Sequence, residues 1–430
     1  MKILFVSGEL IAGDVAYRLK KEGCEVKLFI EHPNLQHGLD GFIEKTSDWR
    51  KELSWVGKEG LIVFDDVGYG KEQDELRKAG YRVVGGSESG DKLELNREYG
   101  QWVLAQHGMN IIPTFNFHDV SDAIKFVSDR GGVWVVKQNS HQSALNYVGA
   151  LEDGRDVINV LEIYRRNGIK NITLQEKIYG IEMSINRYFN GREWVGPSEI
   201  TIEHKSLFND NLGPKTGEMG NLMWYDDSEG KFFKETLDKL KPFLQETNFR
   251  GDIDINCFIK EDKVFPIEAT SRFGCPITHS QSVMHISPWR EFLEAVADGK
   301  DFTLEHKNGY CIALTIAVPP YPYEGSLDKA YSPEGLEIFF KDDCIEKERE
   351  HFHFEGAIKR IEGEKKRYFV CRSLGCVLYV TGYGKSVEEA REAVYARAKK
   401  VIIPKVFYRT DIGMPFINSD QEVLKKWGWI

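Results

Sequence analysis

Apolar and polar positions along the chain change period from one stretch to the next. Ile3-Leu4-Phe5-Val6 is an unbroken apolar run that stops at Ser7-Gly8, the pattern of a buried strand. Val15 to Lys21 then carries helical spacing that ends near Gly23. Strand patterns recur at Val26 to Ile30, at Leu61-Ile62-Val63-Phe64 before Asp65-Asp66, and at Tyr81-Arg82-Val83-Val84 before Gly85-Gly86. Strands alternating with helices over the first ninety or so residues predict a parallel α/β sheet, whose ligands bind at the carboxyl ends of the strands. Further on, the spacing predicts one helix from Leu93 to Gln106 and another around Val120 to Asp129. An apolar strand, Gly132 to Lys137, ends in a lysine, and strands Asn171–Ile178 and Glu182–Phe189 flank Tyr179-Gly180. From about Gly309 to Ile430 the pattern is again α/β, with a strand at Cys376–Val380 and a helix from Val387 to about Lys400.

The richest stretch is Phe249 to Ile259, a polar turn Lys260-Glu261-Asp262-Lys263, then Val264 to Gly274. It reads as a β-hairpin. Because side chains alternate along a strand, Asp252, Asp254 and Asn256 share one face of the first strand, and Glu268, Thr270 and Arg272 one face of the second. Where those faces meet, oxygen ligands converge that suit Mg²⁺ carried by nucleotide phosphates. A solvated sheet face with a chance ion pair is the plainer reading of the same pattern.

Composition narrows the classes. At 430 residues, 41% hydrophobic and 29% charged, the chain is globular and can bury a large core. A formal charge of −10 argues against a nucleic-acid partner held by net charge. The seven cysteines show no CxxC pair, which points to a reduced compartment, the cytoplasm, rather than to disulfides or a cysteine–zinc site. No apolar stretch approaches a membrane span, and the opening Lys2–Val6 run is too short for a signal peptide. The Gly8 to Gly13 spacing is not a dinucleotide fingerprint.

The order of these parts resembles the ATP-grasp ligases, and within them phosphoribosylamine–glycine ligase (glycinamide ribonucleotide synthetase). The resemblance runs over nearly the whole chain in separate blocks. Leu93 to Glu98, continuing to Gln106-His107-Gly108 and Ile112-Pro113-Thr114, is similar to the family's "LEGSKAFAK…RHGIPT", with Arg97 in place of lysine. Val135-Val136-Lys137 is similar to "VVKADG", and Leu174 to Glu182 to "VEEFLDGEE". His204-Lys205 with Asp210 to Gly220 resembles "DHKR…DGDTGPNTGGMG", and Ile267 to Pro276 resembles "EFNCRFGDPE". Phe407 to Gly413 is close to "FYRRDIG".

The resemblance implies an α/β and α+β multidomain ATP-grasp fold: an N-terminal parallel α/β domain over 1–92, an ATP-grasp domain over 93–308 with a small nucleotide-covering part at about 115–190, and a C-terminal domain over 309–430. It implies an ADP-forming carboxylate–amine ligase of purine biosynthesis working through an acyl phosphate, with ATP as co-substrate and Mg²⁺ or Mn²⁺ as cofactor. Its partners would be a small carboxylate and a small amine, with no nucleic acid and no membrane, in a monomer or homodimer. Arg97, Lys137, Gln175, Glu176, Lys177, Ile178 and Glu182 would hold ATP. Glu268, Asp254, Asn256 and Thr270 would hold the metal. Arg272 and Lys205 would act in catalysis, and Asp210, Lys215, Thr216 and Gly217, with Arg272, would bind substrate. Fixed cations suit this chemistry because every step gathers negative charge. Arg97 keeps the lysine's charge but offers a planar fork.

Departures from the pattern are concentrated at the amine side. Ser7 to Asp14 replaces "GGREHAL", without its arginine or histidine, and Phe64 to Gly70 replaces "GPEAPL" and brings in Asp65-Asp66, two carboxylates expected to repel a phosphate. The loop Gln138 to Leu145 lacks the glycine- and alanine-rich phosphate cover, and Thr270 and Cys275 replace the asparagine and aspartate of "EFNCRFGDPE". Two other readings therefore stand beside the first: an ATP-grasp ligase for a different carboxylate and amine, and a nucleotide-binding relative that has lost catalysis.

Overall fold

The computed structural model of the chain describes residues 1–138, 146–323 and 332–430. The chain divides into two compact units. Met1–Asp91, Met183–Ile255 and Thr270–Ile430 form the larger, and Lys92–Glu182 with Asn256–Ala269 the smaller. Among the described residues no helix is long and apolar enough to cross a membrane.

The larger unit begins with β1 (Lys2–Ser7), β2 (Glu25–Ile30), β3 (Glu44–Lys45), β4 (Leu61–Phe64) and β5 (Arg82–Val84). They form a parallel sheet in the order β3-β2-β1-β4-β5. Ile3 to Val6 are wholly buried, as strands of a parallel sheet covered on both faces must be. Helix Gly13–Lys21 follows the loop after β1. The two-residue β3 is too short to leave a periodic signal and was not expected.

The smaller unit carries β6 (Thr114–Phe117), β7 (Trp134–Gln138), β8 (Tyr147–Val148) and β9 (Ile172–Glu176), antiparallel in the order β6-β9-β7-β8. Two amphipathic helices cover it. Val120–Arg130 buries Val120, Ala123 and Val127, and Arg155–Arg166 buries Val157, Leu161 and Tyr164. Both sets follow helical spacing, and they pack on Trp134, Val136, Ile172 and Leu174. Asp119 starts the first helix by accepting the Ser121 amide at 2.7 Å. The predicted single helix from Leu93 to Gln106 is instead two, Glu88–Leu95 and Arg97–Gln106. Asn96 breaks it: its side chain accepts the Tyr99 amide and caps the second helix.

The remaining strands are β10 (Ile181–Asn190), β11 (Trp194–Glu203), β12 (Gly220–Asp226), β13 (Arg250–Lys260), β14 (Lys263–Thr270), β15 (Tyr310–Ala317), β16 (Glu337–Phe340), β17 (Phe352–His353), β18 (Ala357–Glu362), β19 (Lys365–Val370), β20 (Cys376–Gly384) and β21 (Val401–Ile402). In the larger unit β13, β10, β11, β12, β15, β20 and β17 succeed one another across one sheet, with antiparallel pairs from β10 to β17. A second sheet there has the order β18-β19-β16-β21. β13 runs on into the smaller unit, where Asn256–Lys260 leads to β14 through Glu261-Asp262. That turn is two residues shorter than the four the sequence implied, because both flanking lysines extend the strands. Glu261 takes the left-handed conformation it needs, with φ at 53°.

Candidate functional site

Each unit presents its own polar assembly. In the smaller unit Lys137 stands near the end of β7, and its Nζ donates to Gln175 Oε1 on the neighbouring β9 at 2.7 Å. Gln175 passes the chain on, its Nε2 donating to Thr114 Oγ1 on β6 at 3.1 Å. Three adjacent strands thus hold one ammonium in place, and Lys137 is no loose strand end. Arg97, at the start of its helix, lies 3.7 Å from the Glu268 carboxylate of β14. That separation is an ion pair beyond hydrogen-bond reach, and the Glu268 side chain keeps 45% of its surface exposed. Arg97 Nη1 is buried without a hydrogen-bond partner among the described residues.

The segment Gln175 to Ile178 continues past β9. The Glu176 amide donates to the Pro113 carbonyl and the Lys177 amide to the Val133 carbonyl. Lys177 Nζ reaches the Gly149 carbonyl at 3.0 Å. Those two amides are committed to holding the segment. Glu176 is exposed, while Ile178 and Glu182 are half-buried. The loop residues 139–145, which the sequence matched to the phosphate cover, lie outside the described residues.

In the larger unit a cleft of about 1050 Å³ opens at the carboxyl end of β1. Glu9, Glu218, Arg272, Arg372, Tyr321 and Tyr379 are among its walls. Arg272 follows β14; its Nη1 donates to the Phe273 carbonyl at 2.8 Å, and its Nε lies 3.8 Å from Asp66. Alternation along this stretch is as the sequence predicted: Ala269, Ser271 and Phe273 are buried, and Glu268, Thr270 and Arg272 are not. Arg372 Nη2 donates to the Glu9 carbonyl at 3.3 Å. Burial, and then the nearby Glu203 charge, push the Glu218 carboxyl well above its ordinary range. Burial likewise pushes the Cys275 thiol up to about 12, and Cys275 donates to the Tyr379 hydroxyl at 3.3 Å.

Asp65 and Asp66 are not among the residues that line this cleft, although Asp66 lies 3.8 Å from the lining residue Arg272. Asp65 is buried, and its Oδ2 accepts the Ser7 hydroxyl at 3.0 Å and the Ala12 amide at 2.8 Å. Burial, then the charge of Asp66, raise its carboxyl to about 7. Asp66 accepts the Glu9 amide at 3.1 Å and the Val67 amide at 2.8 Å. Asp65 shapes the loop between β1 and its helix, whereas Asp66 serves that loop, the Val67 turn and the pair with Arg272.

The loop from His204 to Gly220 is braced from the C-terminal tail. Arg409 is 1% exposed; it grips Asp411 through two bonds of 2.8 and 2.7 Å and donates to the Ser206 carbonyl at 2.9 Å. Asp411 accepts the Asp210 amide at 2.9 Å, so the Phe407–Gly413 block earns its place by holding this loop. Lys205 Nζ pairs with Glu203 at 2.8 Å. The Thr216 hydroxyl, expected to face a ligand, donates instead to the Lys205 carbonyl at 2.8 Å. Asp210 and Lys215 are exposed and do not line the cleft, whereas Gly217 does. A Cβ on Gly217 would meet nothing within 4 Å, so the space above it is open to a ligand.

Of the expected metal ligands, Asp254 and Thr270 lie in the larger unit and are half-buried, while Asn256, which is buried, and Glu268 lie in the smaller. All four offer oxygen, the donor that suits Mg²⁺.

Sequence reasoning passed over Arg372, Tyr379 and Glu218. It also passed over a sealed polar cluster in which Gln281 Nε2 donates to Glu199 at 2.8 Å and to Asp252 at 3.4 Å, with Asn186 on the far side of Asp252. Burial raises both carboxyls, that of Asp252 to about 7. The one available signal was the run of polar residues Thr278 to Ser282 inside a helix that is buried all round.

No protein-family model matches the chain. It is 26% identical over 374 residues to a phosphoribosylamine–glycine ligase of Halalkalibacterium halodurans, covering 84% of this chain and 82% of the relative. It is 25% identical over 414 residues to that of Vibrio parahaemolyticus, covering 93% and 92%. Among solved structures it is similar to phosphoribosylamine–glycine ligase from Thermotoga maritima, with a TM-score of 0.68, 19% identity, and coverage of 96% of this chain and 100% of that one. It is also similar to biotin carboxylase from Campylobacter jejuni, with a TM-score of 0.63, 12% identity, and coverage of 100% and 97%. The chain has the ATP-grasp fold, and over most of its length its sequence resembles the phosphoribosylamine–glycine ligases.

Proposed function

We propose that the protein is an ATP-dependent, ADP-forming carboxylate–amine ligase that acts in purine biosynthesis in the cytoplasm. One carboxylate oxygen of a glycine-like substrate attacks the γ-phosphorus of ATP, and ADP departs. The amine nitrogen then attacks the acyl phosphate, phosphate leaves, and the new C–N bond is an amide. The likeness to phosphoribosylamine–glycine ligases along most of both chains supports this reaction class. The single observation that carries it at the site is Lys137, fixed on Gln175 by a 2.7 Å bond at the strand where that resemblance puts the nucleotide.

In the smaller unit Lys137 and Arg97 supply fixed positive charge for the nucleotide phosphates. The groups around Gln175 to Ile178 receive the adenine, with Ile178 and the exposed Glu176 taking the part that the engaged amides of Glu176 and Lys177 cannot. Glu182 lies toward the ribose. Glu268 and Asn256 of the smaller unit and, separately, Asp254 and Thr270 of the larger offer oxygens that would hold Mg²⁺, which would supply positive charge to neutralise the phosphates. In the larger unit the cleft takes the other substrates. Arg272 orients the carboxylate, Lys205 adds charge, and Gly217 leaves room beside the Lys215–Gly217 loop.

The geometry favours an anionic amine substrate of the sugar-phosphate class. Arg272 and Arg372 both line the cleft, and Asp65 is buried in the loop, while Asp66 stands 3.8 Å from Arg272 without lining the cleft. A guanidinium fork matches a phosphate well. The replacement of the arginine- and histidine-bearing motif by Ser7–Asp14 favours the second reading, a ligase for another amine. One assay separates them: ADP release with Mg²⁺, ATP, glycine and freshly generated phosphoribosylamine, beside a panel of other amines and carboxylates. Turnover with phosphoribosylamine at the ordinary enzyme range of about 10⁴ M⁻¹s⁻¹ or more in kcat/KM supports the first reading. Turnover only with other amines replaces it with the second. ADP release with none of them makes the protein a nucleotide binder.

A further inference from the structure

Away from the cleft walls, the larger unit buries a second group of titratable side chains for which the ligase reaction has no use. Asp14 lies in the first turn of helix Gly13–Lys21, His279 in helix Ile277–Met284 and His353 at the end of β17. Glu355 follows two residues later. Both imidazoles and Glu355 are wholly buried, and Asp14 is nearly so. One donor atom from each of Asp14, His279 and His353 lies within 4.8 Å of the other two.

The hydrogen bonds of this group do not close. His353 Nδ1 stands 2.9 Å from Asp14 Oδ2, and its Nε2 lies 3.2 Å from Thr381 Oγ1. Among the described residues neither ring nitrogen of His279 has a hydrogen-bond partner, and its Nδ1 is 3.7 Å from Glu355 Oε1. Glu355 Oε2 is also buried without a partner, while its Oε1 accepts the Asp14 amide at 2.9 Å. A buried imidazole with both nitrogens unsatisfied is rare and calls for an unseen ion or water. The two rings stack on each other with centroids 4.5 Å apart.

We propose that Asp14, His279 and His353, with Glu355 as the fourth ligand, bind one Zn²⁺ ion. Two imidazole nitrogens and two carboxylate oxygens match zinc's borderline preference, whereas Mg²⁺ and Ca²⁺ demand oxygen. Tetrahedral zinc with bonds of about 2.0–2.2 Å sets its ligand atoms about 3.4 Å apart. The 2.9 Å and 3.7 Å separations bracket that value. Arg18 lies 2.7 Å from Asp14, and Arg349 and Arg372 also stand near the group. No ligand reaches solvent, so the ion has no open coordination position and is structural rather than catalytic. It would fasten the first helix to segments more than 260 residues further along the chain. The His279 ring also packs at a tilt against the cleft residue Tyr379, with centroids 4.5 Å apart, so the ion would stiffen that wall.

The test uses the full chain, stripped with a chelator, reloaded with Zn²⁺ in excess Mg²⁺ and no nucleotide, desalted, and measured for metal content. About one zinc per chain is expected, falling below about 0.2 in His279→Gln and in His353→Gln. X-ray absorption of the zinc-loaded parent reads the ligands directly, which keeps the proposal testable if a variant fails to fold. A nitrogen and oxygen shell with two imidazoles supports the site. A sulfur shell, a full equivalent retained by His279→Gln, or no zinc in the parent overturns it.

Discussion

The polar groups of the smaller unit and those buried in the larger one are made of the same residue types under opposite solvent conditions. Lys137, Arg97 and Glu268 project from strands and a helix start with part of their surface in water. Glu199, Asp252, His279 and His353 have no such access, and burial dominates the ionisation of each. Open charge is available to a ligand, whereas closed charge must be answered inside the protein, by a proton, an amide or an ion. Substitution in the first group should therefore move activity at constant stability, and substitution in the second should move stability and its pH dependence.

The largest effect is expected at Glu268. Glu268→Gln keeps the side chain's shape and removes the charge that a metal needs, so ligase turnover should fall about 10³-fold with an unchanged melting temperature. Turnover within about threefold of the parent at saturating Mg²⁺ would remove Glu268 from the metal set. Lys137→Ala should weaken ATP binding by about 10- to 100-fold in calorimetry, because one fixed cation beside the phosphates is lost. Equal affinity would make the 2.7 Å bond to Gln175 a matter of sheet structure alone.

Arg372→Ala sharpens the comparison from the cleft side. An arginine that binds an anionic amine in ground state and transition state alike should raise that substrate's KM by about tenfold and leave kcat near the parent value. A fall in kcat at constant KM would move Arg372 into the chemical step.

The smallest effect tests the closed group through pH. Asp252 has its folded pKa raised to about 7, first by burial, against the opposing hydrogen bonds of Asn186 and Gln281. Its unfolded value is about 3.9, so the fold holds the extra proton between the two. The stability it contributes is complete below about pH 4 and is lost as the pH rises to about 7. Glu199 shares the Gln281 amide, so the two titrate as a pair. Asp252→Asn should flatten the parent's decline in melting temperature, with the variant gaining on the parent from pH 5 to pH 8, as linkage requires. A constant difference across that range would show that the carboxylate is already charged in the folded protein.

Most of the polar assembly of the smaller unit could be read before folding because its parts are local. The alternation that exposes Glu268, Thr270 and Arg272 is a property of one strand, and Lys137 ends a recognisable apolar run. The cleft was less legible. Arg372 and Tyr379 reach the tip of β1 only through the C-terminal sheets, more than 350 residues away along the chain. Asp65 and Asp66 were only half legible for a related reason. Their position at a strand end was right, but which hydrogen bonds they accept depends on how the Ser7–Ala12 loop folds over them.

The sequence by itself determined what short-range periodicity controls: the buried β1, the hairpin of β13 and β14, the amphipathic helices of the smaller unit, and the order of blocks that marks the ATP-grasp fold. Only the tertiary structure decided which charges stay open and which are closed. Asp14, His279, His353 and Glu355 carry no mutual spacing, and neither do Glu199, Asp252 and Gln281. Their chemistry arises from desolvation, which belongs to the packed core and to no segment alone.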